Sequence, residues 1–144
     1  MKNIQFALYF CLLCLFGQGL SAHCQVPCGI YDDRHRIDGL LEDVVTIEKA
    51  INQLRVLSGV EGVPAEQQRV RWVLAKENHA EKIINTITDY FLTQRVQPKS
   101  KDYIERLKAH HAVILLSMKV KQEASSEIVG QLKGAIKQLE TFYP

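Results

Sequence analysis

From Asp32 almost to the C-terminus, apolar residues return every three or four positions, and no stretch alternates with the two-residue period of a strand. That pattern restricts the chain to helices that each bury one face. The first predicted helix opens at Asp32 or Asp33, either of which can cap it, and turns Ile37, Leu40, Leu41, Val44, Ile47, Ile51 and Leu54 inward. "SGVEGVPAEQ" interrupts it: Gly59 and Gly62 are stop signals, and Pro64 suits the first turn of the next helix. The second helix is predicted over roughly residues 65–93, through Val70, Val73, Leu74, Ala80, Ile83, Ile84, Ile87 and Phe91, and ends before Pro98. Ser100 is the expected cap of a third helix that carries Ile104, Leu107, His111, Ile114, Leu115 and Met118. A fourth, capped by Ser125 or Ser126, carries Ile128, Leu132, Ile136, Leu139 and Phe142. Gly130 and Gly134 weaken that helix and are expected to mark a close helix approach.

Four amphipathic helices on short connections predict an all-α fold, an antiparallel four-helix bundle over residues 32–144. The formal net charge is +2 and charges of both signs are mixed along the chain, so no nucleic-acid surface is expected. Phosphate-binding loops, dinucleotide glycine fingerprints and nucleophile elbows are missing from the sequence. A bundle alone specifies no chemistry.

The first 31 residues read differently. Lys2 is the only charge before Asp32, residues 6–16 are almost unbroken apolar sequence, and Gly19, Ser21 and Ala22 follow. This is the layout of a secretory leader cut after Ala22. The apolar run is short for a bilayer and lacks basic residues on its far side; an uncleaved anchor is the alternative. The expected divisions are therefore a leader at 1–22, a short segment at 23–31 and the bundle. Cys11 and Cys14 are then small apolar residues of the leader, and the mature chain keeps Cys24 and Cys28. Export to the periplasm or outside the cell, with no membrane association of the mature form, makes an oxidising setting expected. If the leader is only a processed propeptide, the protein is cytoplasmic. Either way the two cysteines call for an explanation, as a bridge or as metal ligands.

With His23 first, one segment offers a free amine, an imidazole, the backbone nitrogen of Cys24 and two thiolates. The amine and the next amide nitrogen form a five-membered chelate ring, and Pro27 and Gly29 favour a turn that returns Cys28 to the same centre. Planar nitrogen and sulfur donors suit nickel or copper, whereas structural zinc takes a tetrahedron. The competing reading is a secreted helical-bundle binding protein with a Cys24-Cys28 disulfide and no catalysis. That reading leaves the histidine at the cleavage point without a reason.

"HCQVPCGIY", residues 23–31, resembles the N-terminal motif H-C-x-x-P-C-G-x-Y of nickel-containing superoxide dismutases, with every fixed position agreeing in order and spacing. The resemblance implies that a leader peptidase exposes the histidine, that each chain binds one nickel ion, and that bundles assemble into a homohexamer. It implies conversion of superoxide to dioxygen and hydrogen peroxide through divalent and trivalent nickel. Carried over by position, His23, Cys24 and Cys28 are the nickel ligands. Tyr31 stands near the metal, where it orders water and restricts access.

Two departures touch the surroundings of the hook. Gln25 stands where family members often carry Asp, and Asp38 stands where a glutamate commonly orients the axial imidazole. "KENHAEKI" resembles a second-helix segment of the family and puts His79 where some members use Arg for the same network. The plain alternatives are a solvated first-turn Asp38 and a helix-surface His79. In "TDYF", Tyr90 and Phe91 are expected in the core or at an intersubunit contact. His110 and His111 must point to different helix faces, one partly buried and one exposed. His35 is expected at the surface, and Trp72 in packing.

Overall fold

The computed structural model describes residues 32–144. Helix α1 (Asp33–Val56) is followed by α2 (Val63–Asn85), which runs on as a π-helix (Thr86–Arg95). Then come α3 (Tyr103–Gln122), α4 (Ser126–Leu139) and a closing 3₁₀ turn (Glu140–Phe142). Cross-contacts fix the directions. Asp33 meets Arg95 while Asp43 meets His79, so α1 and α2 run oppositely. Arg55 meets Ser126 while Arg34 meets Glu140, so α4 returns along α1. Each helix packs on two neighbours, in the ring order of an up-and-down bundle.

The ends of the elements follow from local chemistry. Asp32 caps α1, its Oδ1 accepting from the backbone nitrogens of Arg34 at 2.8 Å and His35 at 3.3 Å. Asp33 is thereby left for another task. Gly59 and Gly62 take positive φ, 79° and 101°, which lets six residues reverse the chain between Val56 and Val63. Arg69 holds that reversal, donating to the carbonyls of Leu57 at 3.0 Å and Val60 at 2.7 Å. Ser125 caps α4 by accepting from the nitrogen of Ile128.

Ile37, Leu40, Val44, Ile47 and Ile51 of α1 meet Ala80, Ile83, Ile87 and Phe91 from the second segment, and Val129, Leu132, Ile136 and Leu139 of α4. Burying each of the large ones contributes about 1.5–3 kcal/mol. The weakest match to the sequence reading is α3. Its inward residues are His110, Val113, Ser117 and Val120, while Ile104, Leu107, His111, Leu115 and Met118 face outward. Both sides of α3 are apolar, so periodicity selects the outer stripe, which has the larger side chains.

Three further expectations are corrected. Val70, Val73 and Leu74 are exposed, and Lys76 points into the bundle instead. Its ammonium donates to the carbonyls of Val120 at 2.8 Å and Lys121 at 2.5 Å, and pairs with Glu77 at 2.7 Å. The last turn of α3 has carbonyls with no partner inside the helix, and Lys76 supplies the donors. At the start of α3 the cap is Asp102 rather than Ser100, whose carbonyl closes a turn with the nitrogen of Tyr103. Gly130 and Gly134 are exposed and a Cβ at either meets no atom within 4 Å, so they mark no close approach among the described residues. Among the described residues no helix is long and apolar enough to cross a membrane.

His110 is fully buried beside Phe91 and Tyr143. Its Nδ1 lies 2.7 Å from the carbonyl of Arg106, which can only accept, so Nδ1 carries the proton. Nε2 is then an acceptor and takes the Tyr143 hydroxyl at 3.0 Å. Burial lowers the His110 pKa and pushes Tyr143 up to about 12. The folded state therefore prefers a neutral imidazole. This stabilisation is complete above the unfolded histidine pKa, about 6.5, and is lost as pH falls below it. In nickel-free protein, unfolding free energy from pH 7 to 5 is expected to fall more steeply for wild type than for His110→Gln. The excess slope is at most about 1.4 kcal/mol per pH unit. Equal slopes would mean that His110 takes up its proton as readily in the fold as in the unfolded chain.

Candidate functional site

His23, Cys24, Cys28 and Tyr31 lie outside the described residues, as do the leader at 1–22, Gln25, Pro27 and Gly29. The structure gives the surface to which they are tethered. Cys28 precedes Asp32 by four residues, so its Cα lies within about 14 Å of Asp32 Cα. Residues 23–31 are thus joined to the end of the bundle where α1 begins.

That end is built on Asp33. Its Oδ1 accepts from the Tyr90 hydroxyl at 2.5 Å and from Arg95 Nε at 2.7 Å, and Arg95 Nη2 donates to the Tyr90 oxygen at 3.0 Å. The local helix type makes this possible. Residues five apart on an α-helix diverge by about 140°. In the π-helix, where the nitrogen of Val96 bonds the carbonyl of Phe91 at 2.9 Å, residues five apart come into register. Tyr90 and Arg95 thus converge on one carboxylate. The guanidinium carbons of Arg36 and Arg95 lie 5.4 and 5.3 Å from the Tyr90 ring centre. Burial, and then the bond to Asp33, raise the Tyr90 pKa, so the phenol keeps its proton. Behind it Phe91 packs on Tyr143 and His110, with Arg106 against the Tyr143 and Phe142 rings.

Asp38 and His79 are not bonded to each other. Asp38 is exposed, and its Oδ1 accepts from Arg34 Nε at 3.2 Å. His79 Nδ1 lies 2.8 Å from Oδ1 of Asp43, a buried carboxylate that also accepts from Lys82 at 2.9 Å. Asp38, Asp43 and Lys82 line one polar groove between α1 and α2. Through Arg36, Lys82 and Thr86 that groove continues into a second, which reaches Tyr90. Sequence reasoning missed Asp43, although its position between Leu40 and Ile47 on the buried stripe of α1 was the signal. A carboxylate there needs partners. Tyr90 and Phe91 are buried, while His111 and His35 are exposed.

Among the described residues no three His, Cys, Asp or Glu side chains are grouped to hold a metal ion. All four cysteines precede Asp32. The chain's thiols therefore all lie outside the described residues, and nitrogen and sulfur donors of the kind that residues 23–28 offer suit nickel chemically.

The chain is similar to nickel-containing superoxide dismutases: the model of that family matches residues 18–144. The matched span takes in "HCQVPCGIY" and all four helices. Comparison with curated proteins and with solved structures gives no match.

Proposed function

The chain belongs to the nickel-containing superoxide dismutase family, and from that premise we propose that residues 23–31 hold the nickel once residues 1–22 are removed. Membership makes the protein an oxidoreductase that acts on superoxide with nickel as its cofactor. In the proposed arrangement His23 binds through its amine and its ring, Cys24 through its backbone nitrogen and thiolate, and Cys28 through its thiolate. When bound, nickel supplies a one-electron couple between its divalent and trivalent states. Two superoxide anions and two protons are converted to one dioxygen and one hydrogen peroxide.

The chain's own residues do the rest. Tyr31 orders water and limits access to the metal. Asp38 orients the imidazole of His23, and His79, fixed by Asp43, completes that polar edge. The observation that carries the reading is the family match, because its span includes the one segment with thiolates and a latent amine. Protein that begins at His23 is expected to consume a pulse of superoxide when loaded with nickel and to leave it to decay spontaneously when nickel-free. Equal decay in both samples would refute the reading.

The proposed assembly is a homohexamer. Exposed Ile104, Leu107, Leu115 and Met118 on α3, with Val63, Val70 and Leu74 on α2, supply apolar surface for contacts between copies. Leu115→Glu with Met118→Glu is expected to lower the sedimenting mass to that of smaller species. An unchanged mass would take this face out of the interface. The proposed location is the periplasm or the cell exterior, after cleavage by a leader peptidase.

A further inference from the structure

Asp33 is the first residue of α1 and stands two positions after Tyr31 and five after Cys28. Its carboxylate spends no bond on capping α1, because Asp32 does that. It is held instead from across the bundle by Tyr90 and Arg95. The Arg95 and Asp33 side chains are each 29% exposed, enough shielding for the pair to outlast an open surface ion pair. The two donors come from a π-helical segment, which maintains a costly irregular backbone to present them.

We propose that Asp33, Tyr90 and Arg95 form a clamp that fixes the base of the nickel-binding segment, with Asp33 and Arg95 acting as positioning residues for the metal. The inference rests on the family reading above and adds residues to which that reading assigns no role. Asp33 is too far along the chain from the donors to be one of a contiguous ligand set. It acts through the backbone: with α1 pinned at Asp32 and Asp33, the segment carrying the ligands has one rigid end. A fixed end lowers the ordering cost of closing the chelate and slows its opening. The carboxylate also leans on a helix other than its own. The clamp therefore couples the C-terminal end of the second helix to the metal.

The test is nickel release from the processed, loaded protein, followed as transfer to excess chelator and through the thiolate-to-nickel absorption bands. Asp33→Ala and Arg95→Gln are each expected to release nickel about tenfold faster than wild type, the scale seen when outer partners of metal ligands are removed. Helical content and thermal midpoint should stay close to wild type. The double variant should release no faster than either single one, since both break one unit. Asp33→Glu should recover part of the loss. Wild-type release rates in both single variants would overturn the clamp. If Asp33→Ala unfolds, Arg95→Gln decides alone, because it leaves Asp33 and the start of α1 in place. A wild-type protein that holds no nickel would refute the metal assignment itself, an outcome distinct from variants that merely match wild type.

Discussion

Cys24→Ser and Cys28→Ser proteins, each beginning at His23, are expected to bind no nickel and to remove superoxide no faster than buffer. Their circular dichroism should match that of wild type. Both halves of this expectation follow from where the chemistry sits. The core that holds the bundle together is made of Ile37, Phe91, Leu132 and their neighbours, all C-terminal to Asp32. The thiolates lie N-terminal to it, and serine hydroxyls are poor substitutes because they are hard donors and stay protonated at neutral pH. Loss of activity together with loss of helix would mean that the cysteines support the fold. Retained activity in either variant would take that sulfur out of the metal site.

The second large effect concerns a single peptide bond. A protein that keeps one extra residue before His23 has both thiols, the imidazole and the complete bundle, yet its nickel binding is expected to collapse. An amine offers its lone pair to a metal directly, whereas an amide nitrogen has its pair delocalised into the carbonyl. The amide binds only after losing its proton, as proposed for Cys24, and ionising a second amide beside the first is much harder. The chelate ring between residues 23 and 24 then loses one of its two donors. Activity near background, with removal of the extra residue by an aminopeptidase restoring it, is the expected result. Normal turnover with the residue in place would show that the amine is not a ligand.

The architecture was legible because α1 and α4 are one-sided: Ile37, Leu40, Val44, Ile47 and Ile51 in one, Leu132, Ile136 and Leu139 in the other, each with a polar opposite face. The second and third helices were less legible for physical reasons. Lys76 occupies an inward position because the end of α3 needs donors, a demand that appears only once two helices meet. In α3 the inward side has His110 and Ser117, each satisfied by a carbonyl one turn back, while larger apolar side chains face out. Periodicity weighs hydrophobicity and cannot weigh satisfied hydrogen bonds.

The candidate site divides in the same way. The proposed hook, which lies outside the described residues, could be named from residue types and spacing alone, since chelation by adjacent residues is a local property of the chain. Its support could not, because Asp33 joins Arg95 across 62 positions and His79 joins Asp43 across 36. The π-helical register that brings Tyr90 and Arg95 together leaves no mark in the hydrophobic pattern. Asp38 could be named from the sequence, whereas its surroundings could not. It faces solvent beside Arg34, and the buried carboxylate of this region is Asp43.

The most direct test of the central claim is intact mass together with metal analysis of the native protein purified without chelators. The expected result is a chain that begins at His23, with both thiols reduced and one nickel ion per chain. A chain lighter by two hydrogens and free of metal would contradict it, because Cys24 and Cys28 would then be a disulfide and the bundle would have no centre at which to handle superoxide.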